Sequence, residues 1–160
     1  MPVPIHQPPD AALHGNGLSC RIVWSADFSK SRTDSFQQAQ RFIDSKCIGL
    51  MDKFTPARNL LLAKSVIQGT VIGSGHLIYE SPYGKYQYYG VVWGPNIPIT
   101  ENGVLVGFWS PKHKRPTDRK LNYSKARHPL AQRMWFEPMK KQHAPQILRG
   151  AAAIAGGVAK

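Results

Sequence analysis

Acidic side chains are scarce in this sequence. Nine Asp and Glu stand against 21 Lys and Arg in 160 residues, a formal net charge of +12 at pH 7. The carboxylates are scattered. Glu80 and Glu137 could meet only through folding, and nothing near them argues for the raised pKa of an acid–base pair. Cysteine is scarcer still. Cys20 and Cys47 are far apart, have no metal-ligand spacing and are expected to be buried, reduced thiols of a protein made in a reducing cytoplasm. No run approaches the roughly 18 consecutive apolar residues of a membrane span. The start, Met1-Pro2-Val3-Pro4-Ile5, has no basic segment ahead of an apolar one, so no secretory signal is expected. The six histidines lack the i, i+4 spacing of a helical zinc site. Gly73-Ser74-Gly75 lacks the following helix of a nucleophile elbow, and no Gly-Lys-Ser/Thr follows Gly69. The expectation is no enzyme, with no catalytic residue, cofactor or metal.

What is present is turn chemistry and basic charge. Gly (14) and Pro (13) are above average and predict many turns. The charge is uneven. Residues 1–111 carry a net of +2 and residues 112–160 a net of +10, which suggests an acidic partner, nucleic acid or protein. The length fits one domain, residues 18–150. Ahead of it, Pro2, Pro4, Pro8, Pro9, Gly15 and Gly17 predict a flexible arm over residues 1–17, and the small residues of 151–160 predict a flexible tail.

The alternation of Leu18, Cys20, Ile22 and Trp24 predicts a strand over 18–25. Asp34 offers an N-cap, and Phe36, Ala39, Ile43, Cys47, Leu50 and Phe54 recur at steps of three or four, which predicts a helix over about 34–53 that Pro56 stops. Phe36, Ile43, Cys47 and Leu50 are candidate core on this helix, and Trp135 and Phe136 on a later one. A short helical turn (57–64) is expected next. A hairpin, with strands at 65–72 and 76–80, should then turn at Gly73-Ser74-Gly75. Pro82 opens a short helix or turn, with Tyr83, Tyr86 and Tyr89 along one side. Further strands are expected at 91–93 and, after the Asn102-Gly103 turn signal, at 104–109. Residues 110–128 read as a basic, proline-broken loop, and residues from Pro129 to about 150 as a helix that Pro138 and Pro145 kink or split. The fold class is α+β: a small antiparallel sheet of four or five strands, a long N-terminal helix packed on it and a C-terminal helical segment.

Tyr83, Tyr86, Tyr88 and Tyr89 sit within seven residues, and tyrosine suits interfaces more than chemistry. With Lys112, Lys114, Arg115, Arg119 and Lys120 they are the candidate interface. Several motifs share an order with a known family. Phe54-Thr55-Pro56 stands at a Tyr-Val/Thr-Pro step. Asn59 and Leu60 stand where a Thr-Gly-x-Leu-x-x-Ser motif has Thr and Gly, and Leu62 and Ser65 match it. Pro82-Tyr83-Gly84 and Tyr89-Gly90 match a Pro-Tyr-Ala-x-x-x-Tyr-Gly segment, and Leu121-Asn122-Tyr123 and Trp135-Phe136-Glu137 follow in order. Over roughly residues 20 to 150 the chain thus resembles the minor capsid proteins of long-tailed bacteriophages, a group similar to tail-completion proteins of the head–tail joint.

The resemblance implies a structural virion protein: a neck component that completes the tail and joins it to the head connector. It implies a homo-oligomeric ring, a hexamer by the tail's sixfold symmetry, that contacts connector and tail-terminator proteins and lies near packaged DNA, with no membrane. Residues 1–17 and 110–128 would order on neighbouring subunits. A head-completion or tail-terminator protein is the nearby alternative. The alternative of another class is a DNA-binding module that uses the basic C-terminal third. Placement of most basic residues in a loop rather than along a helix disfavours it.

Overall fold

The structure is a computed structural model and describes residues 4–157. The class is α+β, with a long N-terminal helix, a C-terminal helix and small antiparallel sheets. The elements in chain order are β1 (Ala11–Gly15), β2 (Leu18–Ile22), α1 (Phe28–Asp52), α2 (Leu61–Gly69), α3 (Gly84–Tyr89), β3 (Val91–Gly94), β4 (Ile97–Glu101), β5 (Val104–Trp109), β6 (Arg115–Lys120) and α4 (Phe136–Ala155). Contacts gather them into two compact units. One takes in the chain up to Gly49, Thr70–Leu77 and the chain from His143 onward; the other takes in Leu50–Gly69 and Ile78–Gln142.

In the first unit, β1 and β2 form a hairpin with Gly15 opposite Leu18. Its two-residue turn, Asn16-Gly17, holds both residues at positive φ (49° and 79°), the primed geometry that matches strand twist. This strand lies inside the segment expected as a flexible arm. Residues before it are also tethered. Ile5 N–H donates to Thr33 Oγ1 (3.0 Å), Trp24 N–H to Asp10 Oδ1 (3.2 Å) and Trp24 Nε1 to the Pro9 carbonyl (3.3 Å). The Trp24 ring packs on Phe28 at 4.8 Å. The expectation of two buried cysteines is corrected here. Cys20 is exposed, because no described residue covers either face of the hairpin, whereas Cys47 on α1 is buried. A thiol reagent is accordingly expected to label Cys20 quickly in the native protein and Cys47 only on unfolding. Rapid native labelling of both, read by mass spectrometry, would contradict this placement.

α1 begins six residues before Asp34, and its buried positions include Ala39, Asp44 and Cys47. Phe36 is not core. It is 54% exposed and borders a surface groove, while Ile43 and Leu50 are half-buried. The buried positions are 39, 44, 47 and 51; Phe36 shares their side of the helix but lies N-terminal to all of them, where that side borders the groove. Asp44 is the unexpected member. Its Oδ2 accepts from the N–H groups of Gly73 (2.7 Å) and Gly75 (3.1 Å), and its Oδ1 from Gln40 Nε2 (2.7 Å). These three bonds satisfy acceptors that would be costly to bury unpaired. It fixes the 73–75 turn, which the sequence expects to join two strands. The correction is that residues 65–69 belong to α2, and residues 70–80 form no strand.

α4 ends this unit. Pro138 falls in its first turn, where N–H groups need no intrahelical partner, and Pro145 is carried inside the helix rather than splitting it. Ile147 and Ala151, four residues apart, are both buried. Gly150 leaves room for the Phe42 ring; a Cβ there would lie 2.5 Å from Phe42 Cζ. Arg32 Nη1 donates to the Ala155 carbonyl (3.2 Å), which satisfies one open acceptor at the helix end. The segment expected as a flexible tail therefore starts as helix.

In the second unit the fully buried side chains are Met51, Phe54, Thr55, Trp135 and Met139. Trp135 meets the rings of Tyr88 (4.8 Å) and Tyr79 (5.2 Å) nearly edge-on, a favoured aromatic geometry. Phe136 is half-buried. α2 carries buried Leu62, Ala63, Ser65 and Val66. Leu60, just ahead of it, sits at φ 60°, where an L side chain is strained by about 1–2 kcal/mol. Leu60→Gly is expected to relieve that strain and to move the urea midpoint upward, a gain in unfolding free energy of up to about 1 kcal/mol after the larger unfolded-state entropy of glycine is deducted. A lower midpoint would show that the Leu60 side chain contributes more than its backbone costs.

The strands do not form one sheet of four or five. They form three two-stranded antiparallel ladders, β1–β2, β3–β6 and β4–β5. The last two are nested, so residues 91–120 make one long ribbon that doubles back at Asn102-Gly103, both at positive φ (51° and 80°). Pro98 in β4 and Pro116 in β6 lack an N–H, which suits edge strands and bars a sheet interior.

Candidate interaction surface

The ribbon carries most of the residues that the sequence singles out for contact. Its far half, β4 with β5, is apolar and uncovered. Ile97, Ile99, Leu105, Phe108 and Trp109 are all 43–60% exposed. The register sets Ile97 opposite Trp109 and Pro98 opposite Phe108, so the two faces of the ladder both present large apolar groups. A shift between Ile99 and Thr100 adds local twist. A two-stranded hairpin is marginal alone in water, and clustered exposed apolar side chains mark a contact surface.

The near half is basic. The stretch expected as a loop over 110–128 is strand β6 for residues 115–120, paired to β3, and this corrects the loop reading. Pro116 does not break it because β6 is an edge strand. Thr117 Oγ1 donates to the Val92 carbonyl (2.7 Å), and Lys114 Nζ donates to Asn96 Oδ1 (2.7 Å) across the gap between the ladders. Arg115, Arg119 and Lys120 are exposed on β6, and Lys112 is exposed just before it. Beyond β6 the chain stays tied. Leu121 N–H donates to the Gly90 carbonyl (2.9 Å) and Tyr123 Oη to the Gln87 carbonyl (2.6 Å). His128 Nδ1 lies 2.8 Å from the Thr55 carbonyl, and its Nε2 3.6 Å from Asp52 Oδ2.

The tyrosines divide. Tyr83 and Tyr89 are exposed, while Tyr86 and Tyr88 are half-buried. Tyr86 packs on Trp93 (5.4 Å), with Lys85 Nζ 5.4 Å from the same indole. Gly90 ends α3 at φ 69°, and a Cβ there would fall 2.8 Å from Tyr123 Oη and 2.9 Å from Arg133 Cβ. Gly90→Ala therefore meets both backbone strain and a steric clash, and is expected to cost about 2–3 kcal/mol in chemical denaturation. Wild-type stability would show that the α3–β3 junction yields more easily than these distances imply.

Burial pushes the hydroxyl pKa of Tyr79 upward. Asp52 and Tyr88 add to this, and hydrogen bonds to Thr55 and Trp135 oppose it. Burial also raises Tyr88, with help from Glu137 and Tyr89, and raises Tyr123 against the pull of Arg133. The folded state thus keeps protons that the unfolded state gives up. This stability is complete below about pH 10 and is lost as pH rises through the folded values. A falling urea midpoint between about pH 9 and 11 is expected, with a shallower fall in Tyr79→Phe. Identical pH profiles for the two proteins would remove Tyr79 from this account.

No group of three potential metal ligands lies together among the described residues, and no described helix is long and apolar enough to cross a membrane. The chain matches no family model, no curated protein and no solved structure.

Proposed function

We propose that this chain is a structural protein of a tailed phage particle, a neck-ring subunit that completes the tail and joins it to the head connector. The observation that carries the reading is the ribbon of residues 91–120, an extended arm with an apolar end and a basic base, suited to burial against other subunits. The motif order supports it. So does Leu60, whose left-handed backbone stands where the resembled motif has glycine. In this reading the protein acts by burying surface: the apolar end supplies affinity and the basic base steers docking on acidic neighbours. Individual surface pairs contribute only about 0–1 kcal/mol each, so a ring that repeats them is what makes them matter.

Phage particles made without this chain are expected to accumulate as separate heads and tails, which the wild-type chain supplied in trans should join. Normally joined particles in its absence would overturn the reading. Changing Lys112, Lys114, Arg115, Arg119 and Lys120 together to Gln should leave the fold intact and lower the yield of joined particles.

The second reading, direct DNA contact, draws on β6. A two-stranded ribbon fits a major groove, and Arg115, Arg119 and Lys120 stand on one. It requires DNA affinity that falls steeply with salt, and Gln variants that change DNA retention but not joining.

A further inference from the structure

Among the surfaces of this chain that carry exposed apolar side chains, two are unlike and complementary. One is the end of the ribbon, β4 with β5. The other is a groove of about 570 Å³ beside α1, bordered by Ile5, Phe36, Arg41, Val71 and Ile72. Phe36, Val71 and Ile72 are exposed there. The wall of the groove at Gly73 and Ser74 is fixed before anything enters it, because the buried Asp44 carboxylate accepts from the N–H groups on either side of Ser74, those of Gly73 and Gly75. Preorganisation of this kind lowers the entropic cost of binding.

Charge says what enters. Arg41 is the single charged residue that lines the groove. Glu101 is the single charged residue of β4 and β5, placed at the ribbon's turn. Among the described residues neither forms an ion pair within its own chain. An acidic foreign surface would be repelled by Glu101 and would find no cation at this end of the ribbon. A complement that this molecule does contain, a groove in which Ile5, Phe36, Val71 and Ile72 stand beside neutral polar residues and one cation, belongs to the same chain. We propose that the ribbon end of one copy seats in the α1 groove of a second copy, with Glu101 against Arg41. The contact joins two different patches, so it is heterologous: it propagates head to tail and yields a ring where the rotation between copies closes. The basic base of the ribbon is left for other neighbours. This inference rests on the ring reading above and names the contact that would build it.

The test uses two charge reversals, Glu101→Arg and Arg41→Glu, in the full chain. Both positions are exposed, so circular dichroism and melting should match the wild type. By analytical ultracentrifugation at physiological salt, the wild type is expected to associate as concentration rises. Each variant alone should associate about tenfold more weakly, since like charges then face each other. An equimolar mixture of the two should regain assembly. The reversed ribbon of the Glu101→Arg protein then meets the reversed groove of the Arg41→Glu protein. The remaining pair, the unaltered ribbon of the second and the unaltered groove of the first, is the wild-type contact. Trp109→Ser, which touches neither charge, should weaken association as well. A wild type that stays monomeric, single variants that associate normally, or a mixture no better than its components would overturn the proposal. Each of these leaves the neck reading to be decided separately by the yield of joined particles.

Discussion

Trp135→Ala is expected to destabilise the protein by about 3–5 kcal/mol, the usual range for loss of a fully buried large aromatic. The indole is 1% exposed and stands between the edge-on rings of Tyr79 and Tyr88. Its removal leaves a cavity that stiff aromatic neighbours cannot easily fill. The same chain segment is also pinned by backbone. Gln132 N–H donates to the Phe54 carbonyl (3.1 Å) and Met134 N–H to the Tyr88 carbonyl (2.8 Å), so collapse toward the gap would strain those bonds. Trp135→Phe, which keeps a ring, should recover about half of the loss. Equilibrium unfolding in urea measures both. A loss below about 1 kcal/mol for the alanine variant would show that this core repacks.

Asp44→Ala should cost about 2–4 kcal/mol, although it removes a polar group from a buried site. The carboxylate is 2% exposed and serves three donors. With alanine there, the N–H groups of Gly73 and Gly75 lose their partner, and the turn loses what holds it. Gly73 (φ 97°) and Gly75 (φ 75°) both use backbone conformations that an L residue resists, so the turn depends on that clamp for a unique shape. Asp44→Asn keeps one acceptor oxygen and should fall between the two. Amide hydrogen exchange gives a second readout: the protection of Gly73 and Gly75 should vanish in the alanine variant while that of α2 persists. Retained protection would mean that other contacts hold the turn.

Periodicity makes the helices legible, and turn chemistry makes one hairpin legible. Cys47 and Trp135 are readable as core because burial follows the apolar stripe, and Asn102-Gly103 announces its turn. The same dipeptide at Asn16-Gly17 carries the same signal, but neighbouring prolines point to an arm instead. The first turns of α1 are hidden for a different reason. Ser29, Lys30, Ser31, Arg32 and Thr33 offer no apolar period, and the hydroxyls of Thr33 and Ser35 bond back to the carbonyls of Ser29 and Ser31 within the helix. β-Branched Val66, Ile67, Val71 and Ile72 imitate a strand, yet Leu62, Ala63 and Val66 follow the helical spacing that prevails. Asp44 cannot be found by spacing. Its partners are main-chain donors 29 and 31 residues away, and main chain has no letter in a sequence. The ribbon escapes recognition as a unit because Pro116 makes its basic half look like a loop, although an edge strand tolerates proline.

The first unit is sewn from three distant pieces of chain, residues 4–49, 70–77 and 143–157. The second lies wholly between Leu50 and Gln142. On a ribosome that order has a consequence. Everything the second unit needs has emerged before α4 is complete, whereas Phe42 waits for Gly150 and Arg32 for Ala155. Closing so long a loop is slow, and for that interval one face of α1 stands bare. A nascent chain stalled so that Gln142 but little beyond it has left the ribosome should therefore fold halfway, with the second unit protease-resistant and α1's first half open to chaperones.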